Sequence, residues 1–240
     1  ARIAAVTVFA NRYAIWTGVA QGDVPEEDIT ISELTLEDEI INDSSFQVTD
    51  AGIKETLDTG LFSSRGTGRM GWAHQSYAEF LGAYFMLQRR MNLTQIMSLL
   101  VHPGDPNGRI IPQLHETAAW LASLIPGVFR ALINVDPEIL LRSDIATAEE
   151  KDKAELVEVL LKLFDQEKLV DRFLELHRHY RKLDHPGLAQ QLRPYLCESS
   201  KGNIVRRVAI DIAEACHRTD LQQELLDISL NREENIVIRR

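Results

Sequence analysis

Apolar positions recur at helical spacing along most of the chain, with one interruption near residue 65. Ile3, Val6, Val8, Phe9 and Tyr13 share a face and lead to Trp16-Thr17-Gly18, which predicts a buried opening helix with a glycine stop. Gln21 to Asp28 reads as an acidic linker around Pro25, and Leu34 to Ile41 as a short second helix ending at Asn42-Asp43-Ser44. A third helix is predicted from Thr49 as cap, with Asp50 at its positive end, Ile53 and Leu57 on one face and Gly60 as its stop. The period then changes. Leu61 to Arg65 and Met70 to Ala73 are extended segments separated by Gly66-Thr67-Gly68, a hairpin turn. Ser76-Tyr77-Ala78-Glu79 has the spacing of a capping box, and Tyr77, Phe80, Leu81, Tyr84 and Phe85 form the apolar stripe behind it, with Phe80, Leu81 and Tyr84 assigned to the core.

Helices, a two-stranded wing and one more helix describe a winged helix over residues 1–92. An irregular helical connector is expected over 93–145: Leu93 to Val101, a turn at 103–108, then Ile111 to Leu124 and Val128 to Ile133, broken by Pro126 and Pro137. Amphipathic helices follow over 146–240, at Ala154–Phe164, Leu169–Leu183, Leu188–Leu196, Ile204–Cys216 and Leu221–Leu230. Asn203-Ile204-Val205 recurs at Asn235-Ile236-Val237, and Arg206-Arg207 at Arg239-Arg240, offsets of 32 and 33 residues that match a two-helix unit. Val205, Val208, Ala209, Ile212, Ala213 and Cys216 make a stripe suited to close stacking, and the Val-Arg-Arg-Val-Ala string resembles HEAT-type repeats. The fold class expected is mainly α: a winged helix with a small β-hairpin, a helical connector and a HEAT-like α-solenoid cut at Arg240. The chain opens at Ala1 without an initiator Met and reads as a fragment.

Composition and charge narrow the function classes. The 240 residues are 45% hydrophobic, enough for packed cores and too apolar for a disordered chain. The net charge of −10 repels a phosphate backbone, and residues 1–92 carry 13 acids against 7 bases. The third helix holds Asp50, Glu55 and Asp58 against Lys54, so nucleic acid is a poor partner for this winged helix. No stretch reaches the roughly 18 uninterrupted apolar residues of a membrane span. Cys197 and Cys216 sit in helical patterns and fit packing in a reducing compartment, so a cytoplasmic location is expected.

Few motifs carry chemistry. Gly66-Thr67-Gly68-Arg69-Met70-Gly71 spells G-x-G-x-x-G but does not open directly into a helix, so it reads as the hairpin and not as a dinucleotide loop. No phosphate loop is present, which argues against ATP hydrolysis by these residues alone. His115-Glu116 lacks a second ligand because position 119 is Ala. His177 and His179, two apart on an expected helix, diverge by about 200° and read as part of a solvated basic face. His74 stands out at the end of the second wing strand, where its ring would lie beside free amides at a helix N-terminus. From the residues alone, a histidine that merely packs at this corner is the simpler reading.

The run Trp72-Ala73-His74-Gln75-Ser76-Tyr77-Ala78-Glu79-Phe80-Leu81-Gly82-Ala83-Tyr84-Phe85 changes that weighting, because it resembles the winged-helix signature of NACHT-type STAND NTPases. Tyr77 replaces a usual Phe and Gly82 a usual Ala. The resemblance implies a longer protein with an upstream nucleotide-binding domain that takes ADP or ATP with Mg. It implies that His74 contacts the β-phosphate of ADP and holds a closed resting state, while Ser76 and Glu79 cap the helix. The helical repeats would recognise a protein ligand, and the longer protein would assemble as a homo-oligomer in bacterial defence or signalling. A helical scaffold without an NTPase role and a winged-helix DNA-binding regulator are the alternatives.

Overall fold

The computed structural model describes residues 1–18, 24–41, 44–106, 108–143, 148–169 and 176–239. The chain is mainly helical with a small sheet and forms two compact units, Ala1–Val128 and Phe129–Arg240.

Unit 1 opens with α1 (Arg2–Phe9), whose Ile3, Ala4, Ala5 and Thr7 are buried. The helix is shorter than its apolar period suggests. Asn11 adopts a left-handed conformation at φ 54, and the chain re-emerges as β1 (Ala14–Trp16) instead of continuing the helix through Tyr13. β2 (Asp28–Thr30) leads into α2 (Ile31–Leu34), where Thr30 accepts from the Glu33 amide and the Glu33 carboxylate accepts from the Thr30 amide.

The helix expected over Leu34 to Ile41 is not formed, and β3 (Glu39–Ile41) pairs with β4 (Ser44–Phe46) in its place. The Arg2 guanidinium takes the carbonyls of Leu34, Glu37 and Asp38. Those acceptors are therefore diverted from any helical ladder. Residues 42–43 of the expected helix end lie outside the described residues.

α3 (Asp50–Leu57) starts as expected: Thr49 Oγ1 accepts from the Gly52 amide at 3.1 Å, and Ile53 and Leu57 are buried. It ends at Asp58, ahead of Gly60. β5 (Phe62–Ser64) and β6 (Arg69–Trp72) form the expected hairpin, with Gly66 at φ 119 and Gly68 at φ 68 supplying turn conformations that side-chain-bearing residues resist. The strand order is β2-β1-β6-β5, with β1 antiparallel to β6 and parallel to β2. Ile15, Ile29, Leu34, Ile53, Leu57, Phe62 and Trp72 make the core beneath this sheet. The Trp72 Nε1–H donates to Thr7 Oγ1 at 3.0 Å, tying β6 to α1.

α4 (Gln75–Gln88) corrects the core assignment made from its aromatic stripe. Ala78, Gly82, Ala83 and Met86 are buried, while Phe80 and Tyr84 are exposed and Leu81 is half-buried against the core. The small residues turn inward because α1 and α6 (His115–Leu124) lie close against the helix. A Cβ on Gly82 would stand only 3.7 Å from Val8 Cγ2, and α6 brings Ala118, Ala119 and Ala122 to its own buried side. Such close axes leave no room for aromatic rings between them. α5 (Leu93–Leu100) is capped by reciprocal bonds between Asn92 and Gln95.

α7 (Pro126–Val135) carries the division between the units. Unit 2 continues with α8 (Pro137–Arg142), α9 (Glu150–Asp165), α10 (Leu188–Cys197), α11 (Asn203–Ala215), α12 (Gln222–Leu230) and α13 (Ile236–Arg239). Of the helix expected over Leu169 to Leu183, residues 170–175 lie outside the described residues, and His177–Leu183 is a 3₁₀ helix. Leu156, Leu160, Leu161, Leu188, Leu192, Ile212 and Tyr180 are buried in this unit. The stripe predicted on α11 is buried throughout, from Val205 to Cys216. α11 and α13, which carry the repeated Asn-Ile-Val string, pack on each other. No described helix is long and apolar enough to cross a membrane.

Candidate functional site

β6 and α4 together position His74. The sheet ladder runs to the edge of the helix: the Ala73 amide still donates to Leu61 O at 2.8 Å, so the chain is released only at His74. His74 is the N-cap residue, extended at φ −133 and ψ 136, and its carbonyl accepts from the Tyr77 amide at 3.1 Å. Its side chain makes no capping bond. The exposed imidazole instead stands edge-on to the Tyr77 ring, with centroids 5.4 Å apart and planes at 88°.

Ser76 and Glu79 do not form the expected capping box. The helix begins one residue before Ser76, which puts the hydroxyl inside the first turn and leaves that turn without a side-chain cap. The first amides of α4 thus keep their partial positive charge at the surface beside the ring. An imidazole there can donate to an anionic oxygen, and the amides can share that oxygen.

A cleft of about 560 Å³ opens next to this corner, lined by Arg12, Arg65, Arg69, Gln75, Glu79 and Gln113 among others. His74 does not line it. The Arg65 Nη2 donates to the Trp72 carbonyl at 2.6 Å, and its stem lies across Gly71, where a Cβ would come within 2.7 Å of Arg65 Cγ. Arg69 is committed to Asp28, which is buried, through bonds of 2.6 and 2.5 Å. Arg12 reaches Glu33 at 2.7 Å. Burial pushes the Glu79 carboxyl above its ordinary range, and Glu116 adds to the effect.

Phe80, Tyr84 and Trp120 form a surface aromatic group in the same unit. Phe80 and Tyr84 stack at 6.1 Å, and Phe80 meets Trp120 edge-on at 5.2 Å. Sequence periodicity assigned the first two to the core, and the alanine and glycine positions between them were the overlooked signal.

The remaining singled-out residues separate cleanly. The G-x-G-x-x-G string is the β5–β6 hairpin, with the Thr17 amide donating to Gly68 O at 2.8 Å. His115 Nε2 lies 3.3 Å from the Ile110 carbonyl, half-buried at the start of α6. Cys216 is buried, its thiol donates to the Tyr180 carbonyl at 3.2 Å, and burial raises its pKa to about 12. Cys197 is exposed.

No family model matches the chain, and neither the curated proteins nor the solved structures compared with it include a significant match.

Proposed function

We propose that residues 1–92 act as a winged helix and that the chain is the regulatory and sensor portion of a STAND NTPase switch. The element order α1-β1-β2-α2-β3-β4-α3-β5-β6, with β6 between β1 and β5, supports the winged-helix reading with β2 and the β3–β4 pair as additions. The packing of α11 on α13 and the buried α11 stripe support a HEAT-like stack in the second unit. The observation that carries the functional reading is the exposed His74 ring at the uncapped first turn of α4. In the longer protein the upstream nucleotide-binding domain presents the β-phosphate of ADP to that ring. A contact made with ADP and lost with ATP and Mg gives the two states different affinities, the requirement for a ligand-driven switch. The helical repeats take a protein ligand, and release of the winged helix lets protomers assemble. This portion meets the nucleotide at the His74 corner, and hydrolysis belongs to the upstream domain.

The test is His74→Ala in the longer protein. Faster ADP release with unchanged folding is expected, because the ring is exposed and supports no core contact. An unchanged ADP off-rate rejects the proposal. The surface aromatic group of Phe80, Tyr84 and Trp120 favours a second reading, a protein-docking scaffold with no nucleotide role. That reading is selected if the longer protein binds no ADP.

A further inference from the structure

A second constellation lies within unit 2, formed where the His177–Leu183 3₁₀ helix packs on α11. Asp211 and Glu214 are three residues apart on α11, so their carboxylates project from one face of the helix. His177 approaches from the 3₁₀ helix, its ring meeting Tyr180 at 6.0 Å and 62°. One ligand atom from each of the three lies within 4.8 Å of the others. Donors around a tetrahedral ion with bonds of about 2.1 Å are about 3.4 Å apart, so metal binding would draw the three donor atoms closer than this 4.8 Å bound by side-chain rotation.

Asp211 distinguishes this cluster from surface acids that happen to be close. The residue is 4% exposed. Arg207 Nη2 pairs with its Oδ1 at 2.8 Å, and Arg207 Nη1 also donates to the Val237 carbonyl at 3.3 Å. Burial removes this carboxylate from water, and a guanidinium shared with Val237 replaces that hydration only in part. A cation lying between Asp211, Glu214 and His177 supplies the remainder.

We propose that His177, Asp211 and Glu214 form a binding site for a divalent transition-metal ion, tying the 3₁₀ helix to α11. One imidazole and two carboxylates select a borderline ion such as zinc or cobalt over magnesium, which prefers oxygen donors alone. Three protein ligands leave coordination positions for water on the solvent side, where Glu214 lies. The nearby guanidinium of Arg207 opposes a second cation, so it weakens the site, and its removal should strengthen metal binding.

The experiment titrates the full chain with cobalt, zinc, manganese and magnesium, following calorimetry, the cobalt absorption spectrum and the thermal unfolding midpoint. Expected are saturable cobalt and zinc binding, a midpoint that rises with metal concentration, and little response to magnesium. His177→Ala and Glu214→Gln should each weaken binding at least about tenfold, while His115→Ala, in the other unit, should leave it unchanged. Arg207→Gln should tighten it. Both ligand variants alter side chains that are not fully buried, so their circular dichroism should match the parent and keep the result interpretable. Asp211→Asn serves only as a supporting variant because its site is buried. Absence of saturable binding at about millimolar cobalt or zinc overturns the proposal. So does binding that survives both His177→Ala and Glu214→Gln, which would assign the metal to Cys197 or to other histidines.

Discussion

Removing Glu234 should destabilise unit 2 more than removing its partner Arg206. The Arg206 side chain is 4% exposed and the Glu234 side chain 11%, and two bonds of 2.8 and 2.7 Å join them in a fork. Glu234 also accepts from the Asn235 amide at 3.0 Å, so the pair fastens α11 to the chain entering α13. Glu234→Ala leaves a buried guanidinium that cannot neutralise, and its Nε already lacks a partner. Loss of one member of a fully buried pair costs about 3–5 kcal/mol; the partial access of water at Glu234 lowers this to about 2–3 kcal/mol. Arg206→Met leaves a carboxylate that can turn to solvent while the methionine fills the space, so about 1 kcal/mol is expected. The double variant Arg206→Met with Glu234→Leu should lie within about 1 kcal/mol of the parent, because a matched apolar pair removes both desolvation costs. Urea denaturation of the four proteins, monitored by circular dichroism, gives the cycle. The reasoning fails if Arg206→Met is the more damaging single change, or if the two single effects simply add.

Acid should weaken the same fastening. The Arg206 fork holds the Glu234 carboxyl below its ordinary range, so its stabilisation is fully present above that range and is lost as pH falls from it through the lowered folded-state pKa. Unfolding midpoints of the parent and of Glu234→Gln measured down to pH about 3 should therefore converge. Glu79 has the opposite sign: its raised pKa means that its ionised form costs stability, so Glu79→Gln should raise the midpoint at pH about 8 and lose that advantage toward pH about 4. Trp72→Phe removes the donor to Thr7 Oγ1 and should cost about 1–2 kcal/mol in chemical denaturation, with the sheet intact by circular dichroism. In a thiol-modification time course at neutral pH, Cys197 should react first and Cys216 only on unfolding, because the buried thiol titrates at about 12.

The same local signature behaves differently at two places, which marks where sequence reasoning loses its grip. Thr30-Ile31-Ser32-Glu33 makes both bonds of a capping box, whereas Ser76-Tyr77-Ala78-Glu79, with the same spacing, does not. The difference is tertiary. The β6 ladder ends its pairing at Ala73, and this fixes the first helical residue as Gln75 regardless of what Ser76 could accept. Arg2 acts in a similar way at a distance of more than thirty residues: by taking the carbonyls of Leu34, Glu37 and Asp38, it turns a helical pattern into the approach to β3. The β5–β6 hairpin and the Thr49 cap were legible because their determinants, glycines at turn positions and a hydroxyl before three amides, lie within a few residues of each other.

The candidate site follows the same division. That His74 lies between a strand and a helix was readable from the chain, although the strand ends two residues earlier, at Trp72, and the helix begins at Gln75. Which side of α4 faces inward was not, because hydrophobicity ranks Phe80 and Tyr84 above Ala78, Gly82 and Ala83 while packing against α1 and α6 favours the reverse. The convergence of His177 with Asp211 and Glu214 was also out of reach, being created by the 3₁₀ helix laid against α11 over a separation of more than thirty residues. An inward small face makes a specific demand on α4. Gly82→Ala puts a methyl at ordinary contact distance from Val8 Cγ2 and replaces a poor helix former, so it should be neutral or should stabilise by up to about 1 kcal/mol. Gly82→Leu must push α1 away and should cost about 1–3 kcal/mol. If unfolding measurements found leucine tolerated as well as alanine, the aromatic face would have to be the buried one after all, and the exposed group of Phe80, Tyr84 and Trp120 would cease to be available for docking.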